Sequence, residues 1–256
     1  MELGLQGKVA LITGASRGVG RAIAFALASE GCRLALVARG RKTLEETAAE
    51  LWGKDIEVLP IVADLMVAQD IEIVVQETMQ QFGRIDILVH NAGGAKGQNI
   101  FDTSDEDWQD ALALNVLALS RLAKLVAPGM SRQGGGRIIA ISSIFGRETG
   151  GRTAYNALKA ASISLTTSLA RQFAPSNILV NSIAPGSLLF PGSSWDRRKQ
   201  ADPDRIEAFV KSELPLGRFG TPEEIAVVVA FLASPLASLI SGACIPVDGA
   251  QSHSNI

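Results

Sequence analysis

The chain has 256 residues, of which 47% are hydrophobic and 20% charged, with a net charge of -2. That is too apolar for disorder, and it lacks the basic excess needed to follow a phosphate backbone, so nucleic acid is not the expected partner. Two cysteines, Cys32 and Cys244, and two histidines, His90 and His253, are too few and too scattered for a disulfide framework, a metal cluster or a Ser/His/Asp arrangement.

Short aliphatic runs recur at 9–12, 34–37, 58–62, 85–89, 138–141, 178–183 and 245–247, separated by longer segments of helical character. The alternation predicts βαβ units and a mostly parallel sheet of about seven strands, whose runs are continuously apolar because helices cover both faces. Without a linker or repeat to divide it, the chain is expected to be one doubly wound α/β domain over 1–256. The run at 9–12 leads straight into glycine-rich sequence, unlike a signal peptide, and 225–240 is interrupted by Ser234, Pro235 and Ser238. A cytoplasmic protein without a membrane partner is the expectation.

The first run enters T-G-A-S-R-G-V-G at 13–20 and then a helical pattern over 21–30. Gly14, Gly18 and Gly20 allow a tight turn and close backbone approach, and the helix N-terminus offers free N–H groups to a phosphate. Glycine also marks ordinary turns; strand, loop and helix in this order point to dinucleotide binding. After the second run an NAD-binding chain would place an acid on the ribose 2′-hydroxyl. Here the sequence is Val37-Ala38-Arg39-Gly40-Arg41-Lys42, and Arg17 lies inside the loop. Arginine forks suit a 2′-phosphate, so NADP(H) is the expected cofactor; the alternative is a solvated basic turn.

Segment 105–127 is apolar nearly all round and should be buried or pack on another subunit. Farther along stands the only tyrosine, Tyr155, four residues before Lys159 in Y-N-A-L-K. On a helix the two share a face, and an ammonium beside a phenol favours the phenolate, which predicts a lowered Tyr155 pKa. Taken alone, such a pair is more often a chance neighbour. Segment 184–203 is the one long irregular stretch, expected to open a substrate lid over about 184–215 whose Leu188, Leu189, Phe190 and Trp195 form an apolar wall. Asp196-Arg197-Arg198-Lys199 reads as a solvated helix face. Asp202-Pro203 and Thr221-Pro222-Glu223-Glu224 are helix starts, the second with a capping-box glutamate.

These motifs, with Asp64-Leu65, Asn91-Ala92-Gly93, Asn115, Ser142-Ser143 and Pro185-Gly186, resemble the short-chain dehydrogenase/reductase family from end to end. Within it the chain is similar to 3-oxoacyl-[acyl-carrier-protein] reductases and related ketoreductases. The resemblance implies that Gly14, Ser16, Arg17, Gly18, Val19, Gly20, Arg39, Asp64, Leu65, Asn91, Gly93, Pro185 and Gly186 surround the cofactor. It further implies that Ser143 holds a substrate carbonyl, Tyr155 exchanges the proton, Lys159 grips the nicotinamide ribose and Asn115 positions a relay water. The expected activity is reversible NADPH-dependent reduction of a ketone, a 3-oxoacyl thioester among the candidates, by a homotetramer. The alternatives are an alcohol dehydrogenase working mainly in oxidation and a cofactor-binding regulatory protein. Two positions depart from the family pattern: Phe190 replaces a threonine, and His90 replaces the more frequent asparagine before Asn91.

Overall fold

The structure is a computed structural model and describes residues 2–53 and 56–255. The strands are β1 (Val9–Thr13), β2 (Arg33–Ala38), β3 (Val58–Val62), β4 (Ile87–His90), β5 (Gly136–Ile141), β6 (Ile178–Pro185) and β7 (Cys244–Val247). They form one sheet in the order β3-β2-β1-β4-β5-β6-β7, every pair parallel. Each run expected from the sequence is a strand, within two residues at either end.

Parallel neighbours need crossovers, and helices supply them. On one face α1 (Gly18–Ser29), α2 (Arg41–Trp52) and α9 (Pro222–Ala233) close a core around Ile12, Ile23, Leu27, Leu36, Ile87 and Val229. On the other, α3 (Ala68–Phe82), α5 (Ala118–Arg132) and α6 (Thr153–Phe173) close a second core around Leu11, Val37, Val74, Leu88, Leu122 and Val180. Leu11 and Ile12 go to opposite cores because successive strand side chains alternate faces. β1 lies between β2 and β4, so the winding reverses there and a crevice opens at the carboxyl ends of these strands.

The segment expected as one apolar helix from Asp105 is α4 (Asp105–Leu112), a π-helical turn (Ala113–Leu117) and α5 in one continuous run. Ser104 starts it, its hydroxyl accepting from Asp107 N–H at 3.1 Å. The 28-residue run is long and apolar enough to cross a membrane by length and composition, but Leu119, Leu122, Ala123 and Met130 lie wholly buried against the sheet. It occupies the place of a core helix on that side and leaves Leu112, Leu117 and Leu125 partly exposed.

The stretch 184–203 is less irregular than its sequence suggests. β6 runs through Pro185, and α7 (Ser194–Ala201) is the helix whose solvated face was read at 196–199. The Ser193 hydroxyl accepts from Asp196 N–H at 3.0 Å, and Arg198 lies 4.9 Å over the Trp195 ring. Trp195 stacks on Phe209 of α8 (Pro203–Glu213) at 4.3 Å, with Phe219 5.2 Å away. Arg197, Arg198 and Lys199 are exposed, the solvated face expected. Both proline-marked starts hold: Asp202 accepts from Arg205 N–H at 3.1 Å, and Glu224 from Thr221 N–H at 2.9 Å.

Candidate active site

A cleft of about 660 Å³ opens at the carboxyl ends of β1, β2, β4 and β5. Gly14, Ser16, Arg17, Val19, Arg39, Asp64, Leu65, Asn91, Gly93, Ser143, Tyr155, Lys159, Pro185 and Gly186 line it, so all but three of the site residues expected from sequence meet in one place. The three others stand just behind. Gly20 is where the loop folds on itself: a side chain there would collide with the Gly14 carbonyl and, at 2.6 Å, with the Asn91 amide. Gly18 has φ +53 and lies under Phe190, whose ring would be 2.6 Å from a β-carbon. Asn115 is buried beneath Gly93 and Gly94.

Asn91 ties the glycine loop to the sheet, its amide donating to the carbonyls of Thr13 and Gly14 at 3.1 Å each. At the end of β2, Arg39 approaches the Asp64 carboxylate at 3.8 Å but remains largely exposed, and Arg17 projects from the loop into solvent. Two guanidinium groups therefore border the crevice where β2 ends, and Ala38 presents no acid there.

On the other wall, Tyr155 and Lys159 project from α6 one turn apart. Ser143 and Tyr155 both line this wall, the Ser143 side chain close enough to the phenol to act on its charge, and the Ser143 oxygen also accepts from Phe145 N–H at 3.2 Å. Ser142 also lines the cleft, but its hydroxyl is engaged 3.1 Å from the Lys159 carbonyl, which favours Ser143 as the residue offering a hydroxyl to a ligand. Lys159 donates to the Ile141 carbonyl at 2.7 Å, and its Nζ lies 5.5 Å from the centroid of the Tyr155 ring.

The expected depression of the Tyr155 pKa does not occur. Burial pushes the phenol above its ordinary value, and the neighbouring Ser143 side chain opposes this only in part. The ammonium donates to the Ile141 carbonyl, and burial lowers Lys159 itself to about 8. Desolvation disfavours whichever form carries charge, so the same dry wall raises the acid and lowers the base. At neutral pH Tyr155 is a protonated donor beside an ammonium.

His90 and Thr13, which sequence reasoning did not place in the site, join its two walls. The Thr13 hydroxyl oxygen accepts from the N–H groups of Asn91 and Ala92 at 3.0 Å each, leaving its own hydrogen to be shared between His90 Nδ1 at 3.3 Å and the Val89 carbonyl at 3.5 Å. His90 Nε2 then carries the ring proton and donates to the Leu114 carbonyl at 3.2 Å. Burial, and secondarily the Lys159 charge, pushes His90 down to about 3, so it is a neutral strut. Leu114 lies in the π-helical turn, where widened hydrogen bonding leaves carbonyls in need of partners. Asn115 in the same turn donates to the carbonyls of Ala111 and Gly94 at 2.7 Å each and accepts from Gly94 N–H at 3.2 Å. A β-carbon at Gly93 would stand 2.7 Å from Asn115 Oδ1 and 3.0 Å from Lys159 Nζ, so the amide and the ammonium flank one glycine.

The family model described as enoyl-(acyl carrier protein) reductase matches residues 14–250. The chain belongs to the short-chain dehydrogenase/reductase family. It is 35% identical to the 3-oxoacyl-[acyl-carrier-protein] reductase of Thermotoga maritima over 96% of this chain and 98% of the relative. With the enzyme of the same name from Aquifex aeolicus the identity is 38%, over 97% and 99%. Among solved structures, the L-sorbose reductase of Gluconobacter frateurii, complexed with NADPH and L-sorbose, superposes with a TM-score of 0.94 at 36% identity, covering 99% of this chain and all of that one.

This short-chain dehydrogenase/reductase also ties its carboxyl-terminal segment to the cleft. Gln251 accepts from Ser187 N–H at 2.7 Å and donates to the Ser187 hydroxyl at 3.0 Å, fixing the chain three residues before Phe190. Ser252 and the His253 backbone donate to Glu148 at 2.9 and 2.8 Å, holding the loop between Ser143 and α6. Nothing in the local pattern of Gln251 or Ser252 signals these contacts, which arise only when β7 packs beside β6.

Proposed function

We propose that the protein reduces a ketone to a secondary alcohol reversibly with NADP(H), Tyr155 serving as acid and base. The observation that carries this reading is the half-buried Tyr155, its phenol held protonated by its surroundings, beside Ser143 and Lys159 on one wall of the cleft. Carbonyl reduction needs a hydride at carbon and a proton at oxygen. Bound NADPH supplies the hydride; the glycine turn, with Asn91 behind it, would hold the diphosphate, Arg17 and Arg39 the 2′-phosphate, and Asp64 and Leu65 the adenine. Ser143 would orient the carbonyl oxygen towards Tyr155, which gives it the proton, and Lys159 would hold the ribose and stabilise the phenolate left behind. Asn115, which does not line the cleft, would act behind Lys159 by fixing Gly93 and Gly94 beside a relay water.

The protonated phenol is the form that carbonyl reduction uses. The four-residue Tyr155–Lys159 step and Ser162 favour C=O over C=C reduction. Segment 186–215 serves as the substrate lid in this reading, with Leu188, Phe190 and Trp195 on the cleft side. Leu112, Leu117 and Leu125 offer an apolar surface for a homotetramer, and free Cys32 and Cys244 fit a cytoplasmic location. The test is a panel of 3-oxoacyl thioesters, ketoses and simple ketones, each with NADPH and NADH. The expected result is NADPH-dependent turnover that falls about 10²–10⁴-fold in Tyr155→Phe. NADPH binding without turnover across the panel would instead mark a regulatory protein, and light scattering settles the oligomer.

A further inference from the structure

A second cavity, of about 340 Å³, lies at the opposite edge of the sheet, under the amino ends of β1, β4 and β5. A five-residue strand separates the two edges by roughly 17 Å, so this cavity shares no residue with the cleft. Lys8 and Arg137 precede Ala10 and Ile139 by two residues, and strand alternation brings both to the face covered by α1 and α9. Arg84 joins them at the start of β4, and Asp86 is the one carboxylate in the lining.

That carboxylate is already occupied. It accepts from Val9 N–H at 2.9 Å and from Arg84 through both oxygens, and Lys8 stands 3.5 Å away. Arg137 is left without a counter-ion among the described residues: one Nη donates to its own neighbour's carbonyl at Gly136, and Nε is buried with no partner. An uncompensated, partly buried guanidinium is costly unless something anionic meets it. Space exists for that, because a β-carbon at Gly134 would meet nothing within 4 Å. The backbone N–H groups of Gly134, Gly135 and Gly136 are all used within the fold, which leaves side-chain cations as the donors.

We propose that this cavity is a binding site for a small oxyanion, a phosphate or a carboxylate, held by Arg137 and Lys8 away from the catalytic cleft. Guanidinium and ammonium groups recognise both chemistries, and the volume admits a small organic anion as well as an inorganic one.

Calorimetric titration of the intact protein with inorganic phosphate and, separately, with succinate tests this, NADP+ being kept saturating to occupy the phosphate sites of the cleft. Saturable binding is expected with at least one anion, weakened 10-fold or more in Arg137→Gln and in Lys8→Gln, and unchanged in Lys124→Gln, an exposed cation in neither site. The partly exposed Lys8 provides the second variant if Arg137→Gln fails to fold. Phosphate alone would mark a phosphoryl site, succinate alone a carboxylate site. Absence of binding with both anions, binding in both cavity variants equal to that of the unaltered protein, or loss of binding in Lys124→Gln would overturn the proposal.

Discussion

Lys159 is the residue whose charge state the surroundings alter most usefully. Its folded pKa near 8 lies below the ordinary lysine value, so the burial cost applies fully below pH 8 and is relieved as the pH rises from 8 towards 10.5, where the unfolded chain still holds the proton. Catalysis should run the other way, because the ammonium that supports the Tyr155 phenolate disappears over the same window. kcat/KM should therefore decline above about pH 8. In Lys159→Gln that limb should vanish along with most activity; an alkaline limb persisting there would assign it to another group. Neither this value nor the raised Tyr155 pKa was legible in the sequence. The four-residue spacing put both side chains on one face, but where the ammonium is directed depends on Ile141, whose carbonyl accepts from Nζ. His90 stood out in the sequence only as a departure from the family pattern; the carbonyl it satisfies could not be foreseen without the π-helical turn.

At the level of elements, the glycine turn and the segment after β6 are mechanically joined. The Phe190 ring rests on the bare Cα of Gly18, and Gly18 itself adopts a backbone conformation unfavourable for other residues. Gly18→Ala should lose about 1–3 kcal/mol of stability and weaken NADPH binding. Adding Phe190→Ala should recover the part due to the ring and leave the part due to φ, so a double-mutant cycle with no coupling would show that the ring yields freely. The end of β2 governs cofactor choice in a second, separable way. Placing Asp at Ala38 with Gln at Arg17 and Arg39 should reverse the NADPH/NADH ratio of kcat/KM, and an unchanged ratio would remove these groups from the assignment. The strands and the glycine turn were readable because fully buried parallel strands leave uninterrupted aliphatic runs. Of α7 only the solvated face at 196–199 was readable: the helix buries almost nothing along its length, its cap at Ser193 is a one-residue signal, and Trp195 fastens it to distant Phe209 and Phe219.

Across the whole molecule, the sheet separates two cores that share no buried residue. The glycine turn leans on the first through α1, whereas Tyr155 and Lys159 lean on the second through α6. Leu27→Ala and Leu122→Ala should each cost about 2–5 kcal/mol of stability. Their kinetic effects should differ, with Leu27→Ala acting first on KM for NADPH and Leu122→Ala first on kcat. Equal effects on both parameters would show that the sheet transmits strain between its faces. If it does not, the arrangement has a bearing on descent: substitutions accumulating in one layer leave the other's task intact, so nucleotide preference and reactive geometry can drift separately within a lineage, each repaired by changes on its own side.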